Sequence, residues 1–263
     1  MDLGLEGKVA WVTGASSGLG RATAEALAAE GARVAVSARR AAALEEVIDS
    51  IRSSGGVAAP FPLDVTDARA IPDVARRVAS ELGAVDILVS NSGGPPPGGF
   101  EDLVEDELRV AFELTTASAW RLTKAVLPGM KDRGRGCLLY ITSGSTKEVI
   151  PDLLLSNMMR AAVVGMAKTL SKELGPNGIR ALCVAPGRIQ TARVEELDRS
   201  AADKTGRSED EVKRGHVAAI PLGRYGDPKE FGEVVAFLAS ERASYISGVS
   251  VSVDGGQLDF VLA

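Results

Sequence analysis

Short apolar segments alternate with longer amphipathic segments along most of the chain. Each short segment is rich in Val, Ile, Leu and Ala and carries few polar residues, which is typical of a strand buried on both faces. The pattern predicts strands over residues 8–12, 33–37, 57–62, 86–89, 137–141, 179–184 and 249–253.

The longer segments predict helices between these strands. Leu44, Val47 and Ile51 recur at spacings of three and four residues, which places them on one helix face. Similar spacings predict helices over about 19–30 and 71–82. Buried strands separated by helices indicate the α/β class, with one doubly wound, Rossmann-like parallel sheet and helices on both of its faces. We expect residues 1–263 to form one domain.

Two segments interrupt this alternation. Residues 93–99 are Gly and Pro throughout and predict a stiff loop after the fourth strand. Residues 190–219 are polar, charged and mostly helical in character. They follow the strand that ends near Val184, where a doubly wound sheet binds its ligands, so we expect them to form a substrate lid inserted within the domain.

The composition is that of an ordinary soluble globular protein, with 45% apolar and 25% charged residues. A net charge of -5 argues against a nucleic-acid surface. One histidine and two cysteines cannot build a multi-His or Cys-rich metal site. Cys137 and Cys183 lie in apolar segments and are expected to be buried thiols, which is compatible with a reducing cytosol. The N-terminus lacks a signal-peptide pattern, and no apolar run reaches the ~18 residues of a membrane span, so a cytoplasmic location is expected.

A glycine-rich turn joins the first strand to the first helix in the segment 13–20, TGASSGLG. Gly14, Gly18 and Gly20 allow a tight turn and a close approach of the backbone to a pyrophosphate at the helix N-terminus. A turn without a ligand is the plain alternative. The same segment contains G-x-S-x-G around Ser16, the pattern of a serine-hydrolase elbow. Only one strand precedes Ser16, and the sole histidine, His216, lies in the expected lid, so this alternative is weaker.

Four motifs together resemble the short-chain dehydrogenase/reductase family. They are TGASSGLG at 13–20, SNSG at 90–93, APGRIQT at 185–191 and VDGG at 253–256, in the family's order and spacing. The resemblance covers about residues 7–256 and is nearest to 3-oxoacyl-(acyl carrier protein) reductases. It implies a nicotinamide cofactor and a carbonyl or alcohol substrate.

The resemblance also implies which residues bind the cofactor. Asp64 and Val65 match a segment that contacts adenine, Asn91 and Gly93 match the loop beside the adenosine ribose, and a later segment orients the nicotinamide carboxamide. An acidic residue of the family that selects NAD is replaced here by Ala38, and Arg39 follows it, which favours the 2′-phosphate of NADP(H). Arg39 and Arg40 as solvated charges are the alternative. The full set is Gly14, Ser16, Ser17, Gly18, Leu19, Gly20, Arg39, Asp64, Val65, Asn91, Gly93, Arg160, Pro186, Gly187, Ile189 and Thr191.

The positions that the resemblance implies for catalysis depart from the family pattern. The polarising serine is present as Ser143, but the tyrosine and lysine of the family motif are replaced by Ser156 and Arg160, and Thr115 stands where an asparagine is expected. A serine hydroxyl is a poor general acid at neutral pH, and a guanidinium does not release its proton. A positioned proton donor typically contributes 10²- to 10⁴-fold, so its replacement matters.

Other residues that could supply a proton are few. Tyr140 lies within a strand and is expected to be packed, while Tyr225 and Tyr245 lie in loops away from the site. Lys147 and His216 remain as candidates near the nicotinamide. Each has the alternative of being an ordinary surface residue.

We therefore expect an NADP(H)-dependent oxidoreductase that acts on a small carbonyl or alcohol substrate, with 3-oxoacyl compounds as a candidate class, and that has no nucleic-acid or membrane partner. The alternative is a catalytically inactive nucleotide-binding sensor or partner subunit. The family commonly forms tetramers, so a homo-oligomer, tetramer or dimer, is implied; residues 117–130 and 157–170 are apolar enough for the interface. The lid and the 93–99 loop would set the substrate.

Overall fold

Residues 1–260 are described by a computed structural model, in which they form a seven-stranded sheet. All strand pairs are parallel, in the order β3-β2-β1-β4-β5-β6-β7. The predicted fold class is confirmed. The strands are β1 (Val9–Thr13), β2 (Arg33–Ser37), β3 (Val57–Pro60), β4 (Ile87–Ser90), β5 (Gly136–Ile141), β6 (Ile179–Pro186) and β7 (Ser250–Val253).

Helices cover both faces of this sheet. They are α1 (Gly18–Ala29), α2 (Ala41–Ser53), α3 (Ala70–Glu81), α4 (Glu105–Ala111), α5 (Ser118–Asp132), α6 (Leu154–Leu174), α7 (Ala192–Thr205), α8 (Glu209–Ala218) and α9 (Pro228–Ala239). Helices α1, α2 and α9 share one apolar layer with the sheet, and α3, α5 and α6 share the other. Each predicted strand and helix is present, with ends that differ from the prediction by at most two residues.

Strand β1 shows how the sequence produces the two layers. Ala10 and Val12 point into one core, while Val9 and Trp11 point into the other, as successive residues of a strand must. The Trp11 indole N–H donates to Ser37 Oγ across 2.9 Å, so the one polar atom of this large buried ring is satisfied. Every residue of β1 is buried, as the unbroken apolar pattern predicts.

The predicted lid segment, 190–219, contains α7 and α8. The two helices pack against each other and follow the carboxyl end of β6. The single domain and the lid role stay predictions. Cys137 and Cys183 are buried free thiols, as expected.

Within residues 1–260, no helix combines the length and apolarity needed to cross a bilayer. The same part of the chain contains no group of three or more His, Cys, Asp or Glu side chains placed to hold a metal ion.

Candidate active site

The candidate cofactor residues gather at the carboxyl ends of the parallel strands. Gly14 follows β1, Arg39 follows β2, Asn91 follows β4 and Gly187 follows β6. Strand β1 pairs with β2 on one side and β4 on the other, so the chain reverses its direction of winding beside β1. In doubly wound sheets, ligands bind in the crevice at such a reversal.

The glycines of the turn 13–20 are required by close approaches. Gly14 has φ +59°, and a Cβ on it would lie 2.7 Å from Asn91 Nδ2. A Cβ on Gly20 would collide with the carbonyl oxygen of Gly14. Helix α1 begins at Gly18, and Ser17 caps it without a side-chain hydrogen bond, so the hydroxyl and the first N–H groups of the helix are available to an anion.

Thr13 and Asn91 join the turn to the neighbouring strand end. The Thr13 hydroxyl donates to the Asn91 carbonyl at 2.7 Å and accepts from the Asn91 N–H at 3.0 Å. Asn91 Nδ2 donates to the Gly14 carbonyl at 3.2 Å. These bonds fix the backbone across the β1–β4 crevice before any ligand arrives.

Arg39 and Asp64 lie beyond the ends of β2 and β3, at the edge of the crevice where the sequence predicts the adenosine. Two hydrogen bonds from Thr66 and the charge of Arg39 lower the pKa of Asp64. Arg39 is exposed and has no carboxylate within salt-bridge distance in residues 1–260. It is therefore positioned to bind an anion from solution.

The segment Pro186–Thr191 closes the other side of the crevice. A Cβ on Gly187 would lie 2.6 Å from Asp254 Cβ, which explains the glycine. Ile189 is buried, and Thr191 caps α7 with its hydroxyl. A Cβ on Gly18 would lie 3.3 Å from Thr191 Cγ2, so this segment reaches the turn 13–20.

Three serines occupy the region expected to polarise the substrate. Ser143 is half-buried, and its Oγ accepts the N–H of Ser145 at 3.1 Å. Ser156 is 8% exposed, and its Oγ lies 3.3 Å from Ser145 Oγ. Ser145 thus contacts both predicted residues, Ser143 through its backbone N–H and Ser156 through its hydroxyl.

Arg160 stands one turn after Ser156 on α6 and is 8% exposed. Its Nη1 donates to the Ile141 carbonyl at 2.9 Å, and no carboxylate of residues 1–260 pairs with it. Burial, followed by the charge of Arg193, lowers its pKa to about 10, so it stays charged at neutral pH. A buried cation without an acidic partner is costly unless a ligand or water solvates it.

Thr115 lies in a π-helical turn, Phe112–Ala117, between α4 and α5. It is 4% exposed, and its Oγ1 has no hydrogen-bond partner within the described residues. Thr115 and Arg160 line the same cavity of about 10 Å³, close to the smallest space that admits a water molecule. π-helical turns occur frequently at functional sites.

The other candidate proton donors have partners elsewhere. Tyr140 is buried, and its OH lies 2.7 Å from the Thr123 hydroxyl; burial raises its pKa. Tyr245 is fully exposed. The Lys147 ammonium lies 4.5 Å from the centroid of the Phe260 ring. Tyr140 is packed, as predicted.

His216 and Tyr225 both contact Asp198 inside the lid. No hydrogen bond joins His216 to Ser16 within the described part of the chain, so the residues of a hydrolase elbow are not assembled.

The lid makes contacts that sequence reasoning missed. Arg193 Nη2 donates to the Pro95 carbonyl at 2.6 Å, which joins α7 to the loop 93–99. Lys204 Nζ lies 3.4 Å from Asp152 Oδ2. Asp198 is a buried carboxylate, although the polar sequence of its segment predicts surface residues. These partners are far apart along the chain and share no motif, so no spacing could have indicated them.

Comparison with known proteins places nearly the whole chain in one family. A family model described as enoyl-(acyl carrier protein) reductase matches residues 14–257. The chain is 36% identical over 257 residues to the 3-oxoacyl-[acyl-carrier-protein] reductase FabG of Vibrio cholerae serotype O1, which covers 97% of this chain and 98% of that relative.

Solved structures agree with the sequence comparison. The L-sorbose reductase of Gluconobacter frateurii, complexed with NADPH and L-sorbose, superposes with a TM-score of 0.93 at 31% identity, covering 99% of this chain and 100% of that one. A variant of actinorhodin polyketide ketoreductase with NADPH gives a TM-score of 0.93 at 32% identity, covering 96% and 98%.

Proposed function

The chain belongs to the short-chain dehydrogenase/reductase family, and we propose that it is an NADP(H)-dependent oxidoreductase acting on a carbonyl or alcohol substrate. The resemblance inferred from the four motifs is confirmed. The observation that carries the proposal is the crevice between β1 and β4, where Gly14, Gly20, Thr13 and Asn91 build a rigid backbone surface for a dinucleotide.

The residues present fit that cofactor. Glycine stands wherever a Cβ would fill the turn, and the N-terminus of α1 faces the place of the pyrophosphate. When bound, the nicotinamide supplies or accepts the hydride, and the protein supplies orientation and electrostatics. The segment 186–191 would hold the nicotinamide end, and Arg160 would donate to ribose hydroxyls.

Arg39 supports NADP(H) over NAD(H). It is exposed, without an acidic partner in residues 1–260, and close enough to Asp64 to lower the pKa of that carboxyl. A 2′-phosphate at this edge would gain charge-assisted hydrogen bonds from the guanidinium. The NADPH complexes of the structural relatives agree with this preference.

The catalytic residues would work without the usual acid. The Ser143 hydroxyl accepts one N–H and keeps its own proton to donate to a substrate oxygen. Arg160 stays charged and stabilises negative charge that develops nearby. Since neither Ser156 nor Thr115 ionises near neutral pH, the proton that reaches the product would come from water. The cavity beside Thr115 and Arg160 is large enough for one such molecule.

The substrate is a small molecule, and 3-oxoacyl compounds are the first class to test because several relatives of this chain are named as 3-oxoacyl-[acyl-carrier-protein] reductases. Three apolar side chains on the outer faces of the middle helices are about half exposed, namely Phe112, Trp120 and Met158. Their exposure supports assembly into a homodimer or homotetramer.

Two unpaired buried thiols support a location in the reducing cytoplasm.

The cofactor proposal is tested by calorimetric titration of NADPH and NADH into wild type and Arg39→Ala. We expect wild type to prefer NADPH, and the variant to lose roughly tenfold or more in affinity for NADPH with little change for NADH, since hydrogen bonds to charged groups contribute about 1.5–3 kcal/mol. Arg40→Ala is the matched control. Equal affinity of wild type for both cofactors contradicts the proposal.

Turnover is tested by following NADPH oxidation with 3-oxoacyl thioesters and a panel of ketones. The wild type is expected to oxidise NADPH with at least one compound. The double variant Ser156→Tyr/Arg160→Lys restores the family's usual acid and should raise the rate further. Tight NADPH binding with activity in the double variant alone would instead establish the inactive nucleotide-binding alternative.

A further inference from the structure

Four polar side chains, two of them from the predicted lid segment 190–219, meet around Asp198. Arg188 Nη1 donates to Asp198 Oδ1 at 2.6 Å, and the Tyr225 hydroxyl donates to Asp198 Oδ2 at 2.8 Å. His216 Nδ1 lies 3.0 Å from Asp198 Oδ1, and its Nε2 lies 2.9 Å from Arg188 Nη2. We call these four residues the lid cluster.

The hydrogen-bond partners determine the protonation of His216. An arginine only donates, so Nε2 of His216 must accept from Arg188 and carry no proton. Nδ1 therefore carries the ring proton and donates to Asp198. The cluster then holds one positive charge on Arg188 and one negative charge on Asp198, and Asp198 is 5% exposed. Its charges balance only while His216 is neutral.

The lid cluster connects α7 and α8 to the segment Pro186–Thr191, which would hold the nicotinamide end of the cofactor. Arg188 lies inside Pro186–Thr191, Asp198 lies in α7 and His216 lies in α8. The backbone of the same segment is paired with Gly226, which donates to the Arg188 carbonyl at 3.0 Å and accepts from Gln190 N–H at 2.9 Å. Side chains and backbone thus fix this segment from two directions.

Protonation of His216 would remove one bond and add one charge. Its Nε2 could no longer accept from Arg188, and the imidazolium would face that guanidinium at close range. Asp198 is the only carboxylate of the cluster to offset both cations; Lys213 also lies near, 5.4 Å from the centroid of the Tyr225 ring. Burial first, and then Arg188, lower the pKa of His216. The contribution of the neutral ring to folding stability is therefore complete above about pH 6.5 and is lost as the pH falls from there through the lowered pKa of His216.

We propose that Asp198 and His216 are positioning residues that hold Pro186–Thr191 in place through Arg188, so that cofactor affinity depends on a neutral His216. The proposal rests on the proposed function, because it assumes that this segment contacts the nicotinamide end of the cofactor. Neither residue touches the reacting atoms. They act on cofactor affinity indirectly, by holding Arg188 and with it the backbone of its segment.

The test measures the Kd of NADPH by fluorescence between about pH 5 and about pH 8, a range that extends below the ordinary histidine pKa because that of His216 is lowered. Asp198→Asn leaves Arg188 without its carboxylate and should weaken binding roughly tenfold at the upper pH, the equivalent of one charge-assisted hydrogen bond. Glu209→Gln is the matched control, because it breaks an exposed α7–α8 ion pair to Arg199 and leaves the cluster intact. It should bind like wild type.

His216→Gln tests the pH dependence, since glutamine keeps an acceptor for Arg188 and does not titrate near neutral pH. Phosphate monoesters titrate near pH 6, so the ratio of wild-type Kd to variant Kd is the informative quantity. It should stay near one at the upper pH and rise several-fold at the lower pH. A flat ratio overturns the proposal, as does an Asp198→Asn variant that folds and binds like wild type.

The outcomes separate this inference from the proposed function. If wild type fails to bind NADPH at any pH, the proposed function is wrong. If it binds but the variants show no effect, only the role of the lid cluster is wrong. Circular dichroism establishes whether Asp198→Asn is folded; if it is not, the wild-type to His216→Gln ratio decides.

Discussion

Arg160→Met tests whether the buried charge of Arg160 lowers the free energy of unfolding of the ligand-free protein. Methionine retains a long side chain and removes the cation. Burial lowers the pKa of Arg160 from 12.5 to about 10, which corresponds to about 3 kcal/mol at 1.36 kcal/mol for each tenfold change in proton affinity. That free energy is an order-of-magnitude measure of what the folded state loses by holding the guanidinium charged.

The substitution also removes a favourable contact. The Ile141 carbonyl loses its hydrogen bond from Nη1, and an unsatisfied buried acceptor costs about 1–3 kcal/mol. The two effects are similar in size and opposite in sign. We therefore expect the free energy of unfolding of ligand-free Arg160→Met to lie within about 2 kcal/mol of wild type, since replacing buried charge with apolar groups is often neutral or stabilising.

Urea denaturation at neutral pH, without cofactor, measures this difference. Arg180→Met is the control, because Arg180 is half-buried and donates to four backbone carbonyls, those of Leu238, Ala239, Ser240 and Ile246. The control should lose several kcal/mol. A loss of about 3–5 kcal/mol in Arg160→Met itself, typical of an orphaned buried partner, would refute the reasoning. NADPH should also raise the stability of Arg160→Met less than that of wild type.

Gly20→Ala should abolish NADPH binding in a fluorescence titration, because its Cβ would meet the Gly14 carbonyl. Gly165→Ala, with open space at its Cβ in α6, should bind normally and gain about 0.5–1 kcal/mol of stability; equal binding by both variants would contradict the role of the turn. Burial raises the pKa of Cys137 to about 11 and of Cys183 to about 12. Both thiols should therefore resist an aromatic disulfide reagent until urea unfolds the protein; rapid labelling of the folded protein would show that they are accessible.

The sheet and the cofactor crevice could be predicted because they depend on local rules. Apolar runs identify buried strands, and parallel strands bring Gly14, Asn91 and Gly187 to one edge whatever lies between them. The strand predicted at 57–62 ends at Pro60, although the N–H groups of Phe61 and Leu63 still donate to the Val36 and Ala38 carbonyls. Such differences leave the position of the crevice unchanged.

The lid cluster and the water-sized cavity could not be predicted because they depend on tertiary contacts. Asp198 reads as one more charge in a polar helix, yet Arg188, His216 and Tyr225 surround it. The π-helical turn at Thr115 leaves a buried hydroxyl without a partner in residues 1–260. Neither feature follows from periodicity or from a motif.

The central place of β1 in the sheet has a consequence for protein synthesis. β1 leaves the ribosome well before its neighbour β4, because Ala10 of β1 pairs with Ile87 of β4, which lies much later in the chain. Until β4 emerges, one edge of an entirely buried strand has no hydrogen-bond partner and is exposed to wrong pairing. The hydrogen bonds between Thr13 and Asn91 also join β1 to β4, so they too can form only after β4 has been synthesised. Nucleotide binding by a nascent chain would therefore indicate that β1 has paired with β4. Truncated chains that end before β4 should remain dependent on chaperones.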